Sequence, residues 1–203
     1  MTEGRNITAK TMARPPRHPV NAKVPFAFVH INKCGGSSVE IALGLQKMHL
    51  TAAEQRATVG AEQWDNAYTF ALVRNPFARV ASIYYYRVKT DQGGLADRHL
   101  SINAWVEQVW GSPTDTSGDE SILLRPAWDW VSQDGRALVT ETPKLEDVEA
   151  EWPRICARLG VDRELSLTNQ NFYPPYRYVL GREARAAIEG AFAEDLNRFG
   201  YDW

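Results

Sequence analysis

The sequence predicts a single α/β domain built on a parallel sheet flanked by helices. Two short apolar runs, at residues 26–31 and 68–73, have the composition of buried parallel strands. Each run leads into a helical pattern, and the first does so through Gly35 and Gly36. The order strand, glycine turn, helix, strand, helix is typical of the start of a parallel α/β sheet.

Local start and stop signals set the bounds of the predicted helices. The first helix is expected at 37–49, and Thr51 with Glu54 has the spacing of a capping box for a short second helix. Asn75 and Pro76 supply an N-cap and a first-turn proline for a helix that ends near residue 88. The remaining predictions are helices at 101–110, 144–159 and 182–199, a surface loop at 111–120 and a third strand at 137–140. A proline inside the 144–159 pattern predicts a kink or a break there.

Length and charge limit the possible partners. The chain has 203 residues, enough for one domain with a sizeable core, which we place at residues 25–203. Residues 1–24 hold five Lys or Arg residues, one acidic residue and three prolines, and are expected to form a flexible basic arm. The formal net charge of −2 gives no general field for polyanions, so no nucleic-acid partner is expected.

The two cysteines and the hydropathy pattern indicate a compartment. Cys34 and Cys156 are too far apart in sequence for a zinc or redox motif, so free thiols in a reducing environment are expected. No apolar run reaches the roughly 18 to 20 residues that a membrane span needs. These observations favour the cytoplasm, without a membrane span.

The segment from His30 to Ser38 has the character of an anion-binding loop. Gly35 and Gly36 let backbone N–H groups approach an anion, and the helix N-terminus behind them adds partial positive charge. The alternative is that the two glycines only make a tight turn between strand and helix. Lys33 precedes the glycines, whereas kinase-type loops place Lys after a Gly and before Ser or Thr. That order, in a P-loop-like parallel sheet, favours a phosphosulfate over a magnesium nucleotide.

A second anion site is predicted where the next strand ends. Arg74 leaves this strand at the same carboxyl edge of the sheet as Lys33, which is the edge where open α/β sheets bind ligands. Arg79, Ser82 and Tyr86 follow at spacings that place them on one helix face. Arg79 with Ser82 would make a phosphate clamp, or alternatively part of a solvated helix face.

The two segments together resemble the sulfotransferase family that includes the carbohydrate sulfotransferases. Residues 30–38 are similar to its 5′-phosphosulfate loop and residues 73–82 to its 3′-phosphate segment, and further similarity lies at 49–52, 124–126 and 199–203. The sequence departs from the family at Asn32, where proline is common, at Cys34, where threonine is common, and at Ala127, where glutamine is common. The resemblance spans about residues 25–203.

The resemblance implies a fold, a donor and a set of site residues. The fold is that of the sulfotransferases, the donor is PAPS with PAP as its product, and no metal is required. The acceptor would be a hydroxyl of a carbohydrate-like or small molecule. The implied 5′-phosphosulfate ligands are Lys33, Cys34, Gly35, Gly36, Ser37 and Ser38, and the implied 3′-phosphate ligands are Arg74 and Ser82.

Sulfuryl transfer also needs catalytic groups. Lys33 is the candidate that stabilises the leaving phosphate oxygen, and a positioned base would contribute about 10² to 10⁴ in rate. His49 is favoured as the base because it lies in the segment that resembles the family's catalytic region, with His30 and His99 as alternatives. Two other functions stay open: a small nucleotide kinase, and a nucleotide-binding module without turnover.

Overall fold

The computed structural model describes residues 22–111, 121–166 and 173–203, and its centre is a parallel pair of short strands. Strand β1 (Phe26–Phe28) pairs with β2 (Tyr68–Phe70), with Phe26 opposite Tyr68. Isolated parallel bridges from Phe70 to Glu141 and from Val73 to Lys144 add a third parallel segment beside β2. The molecule is therefore mixed α/β.

The predicted third strand at 137–140 is wrong in position. Its first residue belongs to an antiparallel hairpin of β3 (Ser132–Gln133) and β4 (Arg136–Ala137), and the parallel neighbour of β2 lies at 141–144. Asp134 and Gly135 form the hairpin turn with φ of 52° and 73°. Two consecutive left-handed residues suit the twist of a tight hairpin, so the chain folds back before it reaches the sheet.

The first helix is shorter than its pattern suggests. Helix α1 (Gly36–Leu43) ends at Gly44, which adopts φ 65° and donates its N–H to the carbonyl of Glu40. A left-handed glycine is a common helix stop, and residues 45–50 after it are not helical. The predicted helix 37–49 is thus wrong at its end, and His49 lies in a non-helical segment.

Helix starts with side-chain caps are confirmed. Helix α2 (Ala52–Val59) begins at a complete capping box, and α3 (Ala61–Asp65) follows it. Helix α4 (Pro76–Lys89) begins at Asn75, whose side-chain oxygen accepts from the N–H of Phe77 at 3.0 Å. Helix α5 (Ile102–Trp110) begins at Ser101 in the same way.

The second half of the chain is mostly helical. Its helices are α6 (Ser121–Leu124), α7 (Ala127–Val131), α8 (Val148–Leu159), α9 (Tyr176–Val179), α10 (Arg182–Ala191) and α11 (Ala193–Phe199). Helix α8 continues through Pro153 and ends at Gly160, so the predicted break is absent. The helix predicted at 182–199 is two helices, because Phe192 leaves helical geometry at φ −114° and ψ 25°.

Two apolar clusters hold these elements together. One surrounds the strands and includes Phe70, Trp130 and Ile155, and the other joins α4, α5 and α10 through residues such as Phe77 and Ile188. Most of the predicted basic arm and nearly all of the predicted surface loop, residues 1–21 and 112–120, lie outside the described residues. Of the arm, Lys23 donates its N–H to the carbonyl of Leu159 at 2.8 Å. Within the described ranges, no helix combines the length and apolarity that crossing a bilayer would take.

Candidate anion-binding site

A cavity of about 800 Å³ lies where the chain leaves β1 and β2. Its wall is formed by the loop after β1, the segment that contains His49, Arg74 in the segment after β2, and one face of α4. The predicted site residues that line it are Lys33, Gly35, Gly36, Ser37, Ser38, His49, Arg74 and Ser82. The fold therefore brings both predicted anion-binding segments and the favoured base to one cavity.

The glycine loop has a geometry that only small residues allow. Gly35 adopts φ 80°, and a Cβ there would lie 2.5 Å from the side chain of Leu145. A Cβ on Gly36 would overlap the ring of His30. No side chain caps the start of α1, so its first turn presents backbone N–H groups and the positive end of the helix dipole toward the cavity.

Lys33 is held in an unusual conformation at the mouth of this loop. Its backbone is left-handed, with φ 63°, which few residues other than glycine adopt. Its Nζ lies over the ring of Tyr86, 4.2 Å from the centroid. Burial and the nearby charge of Arg74 lower the pKa of Lys33 to about 8. The amine is thus largely charged at neutral pH and close to titration.

Arg74 connects the two segments. One guanidinium nitrogen donates to the carbonyl of Lys33 at 3.2 Å, and the other donates to the hydroxyl of Tyr173 at 3.2 Å. Tyr173 in turn stacks on Tyr85 of α4, with ring centroids 4.8 Å apart. The position of Arg74 is therefore tied to the glycine loop on one side and to α4 on the other.

The C-terminal residues reinforce the start of α4. The carboxylate of Glu146 accepts from the backbone N–H of Asn75 at 2.9 Å and from the hydroxyl of Tyr201 at 2.8 Å. The side chain of Asn75 donates to the carbonyl of Asp202 at 2.8 Å. Burial, followed by Glu146, raises the pKa of Tyr201. These bonds fix the residue that directly follows Arg74.

Arg79 does not serve as a phosphate ligand in this arrangement, contrary to the clamp predicted with Ser82. Its side chain is fully buried. It donates to the backbone and side-chain oxygens of Asn32, and to the carbonyls of Leu123 and Arg125, at 2.7 to 3.4 Å. Because these donors are bonded to protein oxygens, Arg79 links the loop that contains Asn32 to the 123–125 segment. Of the two residues of the predicted clamp, only Ser82 lines the cavity.

The residues that follow the 123–125 segment are held by a buried carboxylate. Asp195, on α11, accepts from the backbone N–H groups of Ala127 and Trp128 at 2.7 and 2.8 Å. This caps α7, whose N-cap residue Pro126 supplies no side-chain hydrogen bond. Burial raises the pKa of Asp195, and the two N–H groups and Arg79 oppose that effect. The break at Phe192 is what turns α11 toward α7.

Two of the three candidate bases lie side by side. His49 donates from Nδ1 to the carbonyl of His30 at 3.3 Å, and the two rings are 4.5 Å apart. Because a carbonyl only accepts, this bond leaves Nε2 of a neutral His49 without a proton. Burial and the neighbouring His30 lower the pKa of His49 below its ordinary value. His99 is exposed and does not line the cavity.

His30 has a different role from His49. Its Nδ1 lies 2.6 Å from a carboxylate oxygen of Glu40, and both side chains are buried. Glu40 is on α1, so the pair joins the end of the first strand segment to the helix that follows the glycine loop. His30 thereby stabilises the loop geometry.

Cys34 is a second predicted ligand, after Arg79, that does not belong to the cavity wall. Its thiol is buried in the core and does not line the cavity, and burial raises its pKa to about 11. Its backbone N–H donates to the carbonyl of Ile31 at 3.3 Å. The Cys34 side chain therefore packs as a small group in the core.

Sequence reasoning missed several cavity residues. Lys47, Arg87 and Lys89 join Lys33 and Arg74, so five cationic side chains line the cavity, and its described lining contains no Asp or Glu. Only the recurrence of basic residues on α4 could have signalled this. A cationic cavity in a chain of net charge −2 is suited to a compact anion.

Comparisons with protein-family models, curated proteins and solved structures gave no match.

Proposed function

We propose that this protein is a PAPS-dependent sulfotransferase that transfers a sulfuryl group to a hydroxyl of a carbohydrate-like or small-molecule acceptor. One observation carries the proposal. A single cationic cavity combines the glycine loop and Lys33 with Arg74 and Ser82, and it includes a histidine with an available nitrogen. PAPS has two anionic ends, and these two groups of residues would hold one end each.

The residues divide the chemistry among themselves. The N–H groups at the start of α1 and the hydroxyls of Ser37 and Ser38 would bind the 5′-phosphosulfate. Arg74 and Ser82 would bind the 3′-phosphate. His49 would accept the acceptor's proton at Nε2, because its Nδ1–H is committed to the carbonyl of His30.

These groups account for the bonds, the electron pair and the proton in the transfer step. The acceptor oxygen forms a bond to sulfur as the bond from sulfur to the bridging phosphate oxygen breaks. The electron pair of that bond stays on the phosphate oxygen, where charged Lys33 stabilises it. The proton goes to His49, and PAP leaves with the sulfated acceptor as the other product.

The kinase alternative has less support from the lining. Magnesium-dependent phosphoryl transfer relies on carboxylates that hold the ion near the phosphates. The described lining supplies five cations and no carboxylate, which favours direct charge neutralisation by side chains. Arg87 and Lys89 also interact with other groups of the protein, and they contribute here through the positive charge that they add to the lining.

Calorimetric titration with PAP, and separately with ATP plus magnesium, tests the proposal. We expect PAP to bind in the micromolar range or tighter, with affinity at least tenfold lower in Lys33→Ala and Arg74→Ala. Arg182→Ala is the matched control, because its side chain is 92% exposed and lies on α10, away from the cavity. Magnesium-dependent ATP binding without PAP binding would reject the sulfotransferase in favour of a kinase. PAP binding without turnover on any acceptor would leave the non-catalytic module.

A further inference from the structure

The ammonium group of Lys33 is placed against an aromatic face. Its Nζ lies 4.2 Å from the ring centroid of Tyr86, well within the range in which a cation is attracted by the ring quadrupole. Tyr86 is on α4, lines the same cavity and is 40% exposed. A tyrosine that is neither core nor fully solvated is available for such a role.

We propose that Tyr86 is a positioning residue for Lys33, holding its ammonium group in the cavity through a cation–π contact so that it is placed for an anionic donor. The contact and its effect on Lys33 stand on the geometry alone. The benefit to the donor rests on the proposed sulfuryl transfer.

The charges around Lys33 explain why an uncharged partner matters. The charged or titratable groups that act on Lys33 are Arg74 after β2, Lys47 before His49, Lys89 on α4 and the buried thiol of Cys34. Arg87, His30 and His49 line the same cavity. Most of these repel an ammonium ion, and the described lining has no carboxylate to offset them. The π face of Tyr86 attracts the cation without occupying the site with a negative charge that would repel the donor.

The residue is also fixed at its other end. The carbonyl of Lys33 accepts from Arg74 at 3.2 Å, and its left-handed backbone sets the direction in which the side chain leaves the loop. Arg74 directly precedes the turn into α4, which carries Tyr86. The backbone of Lys33 is therefore held by Arg74, just before α4, and its amine contacts Tyr86 on α4.

The pH dependence of Lys33 acetylation by acetic anhydride, measured by peptide mass spectrometry, tests the contact without assuming any function. The wild type is expected to show a midpoint near pH 8. Removing the ring in Tyr86→Leu or Tyr86→Met disfavours the charged amine, so the midpoint should fall by about half a pH unit. Tyr86→Phe keeps the ring and should stay within about 0.2 unit, as should Tyr178→Leu at a distant, 84% exposed tyrosine.

Two different substitutions remove the ring, so that a folding defect in one of them does not decide the result. Circular dichroism would reveal such a defect. An unchanged or raised midpoint in both of them would overturn the proposal, and so would an equal shift in Tyr86→Phe.

PAP affinity tests the link to the donor. We expect about a two- to fivefold loss in Tyr86→Leu and little change in Tyr86→Phe. A shifted midpoint with unchanged PAP affinity would remove the positioning role. Failure of the wild type to bind PAP would instead reject the proposed function and leave the acetylation result intact.

Discussion

Replacing Arg79 by methionine should destabilise the fold by about 3 to 5 kcal/mol, because breaking a buried charged network leaves its partners unpaired. The guanidinium makes four hydrogen bonds to protein oxygens, two of them at 2.7 Å. Each buried acceptor left without a donor costs about 1 to 3 kcal/mol, and partial relaxation keeps the total below the sum. Because small domains have only about 5 to 15 kcal/mol of stability, the change should be large.

Denaturation by guanidinium chloride, followed by tryptophan fluorescence, would measure this loss of stability. Arg182→Met is the control, since a side chain that is 92% exposed should change stability by no more than about 0.5 kcal/mol. A loss below about 1 kcal/mol for Arg79→Met would refute the structural role. Near-normal stability combined with a tenfold loss of PAP affinity would restore Arg79 as a phosphate ligand.

Three other perturbations test the site and its scaffold. Gly36→Ala should cost about 1 to 3 kcal/mol in denaturation and weaken PAP binding, because the methyl overlaps an imidazole ring, whereas Gly190→Ala in open space should be neutral or stabilising. Thr51→Ala removes a capping box and should lower the free energy of unfolding by about 1 kcal/mol; an unchanged midpoint would argue against that cap. Turnover with a suitable acceptor should fall as pH rises through about 8, where Lys33 loses its proton. Turnover should also fall on the acid side, at a pH below the usual histidine range, because burial lowers the pKa at which His49 gains a proton. A flat profile would contradict both roles.

Local signals predicted the parts of the site that depend on neighbours in sequence. The glycine loop, the capping box at Thr51 and the cap at Asn75 are each specified within a few residues. The convergence of Lys33 and Arg74 followed from a general property of parallel strands, whose carboxyl ends meet at one edge. These predictions needed no tertiary detail.

Tertiary contacts decided what the sequence left unresolved. Gly44 was a visible stop signal, but the apolar pattern beyond it favoured a longer helix. The break at Phe192 has no local sequence signal. It allows Asp195 of α11 to bond the start of α7, which is far away in sequence. The burial of Arg79 and the contact between Lys33 and Tyr86 depend on which helix face meets the loop. Helical spacing shows which residues share a face of a helix, but it does not show which part of the protein packs on that face.

The buried charges of Arg79 and Asp195 constrain how this chain can change. Arg79 holds carbonyls of the 123–125 segment and Asp195 holds the N–H groups that follow, so the two charges offset each other through a stretch of peptide. Loss of either one leaves the other buried without the opposite charge nearby that favours its charged form. The two positions should therefore be epistatic, with the double substitution costing less than the sum of the single ones. An evolving lineage would tend to keep or exchange both together.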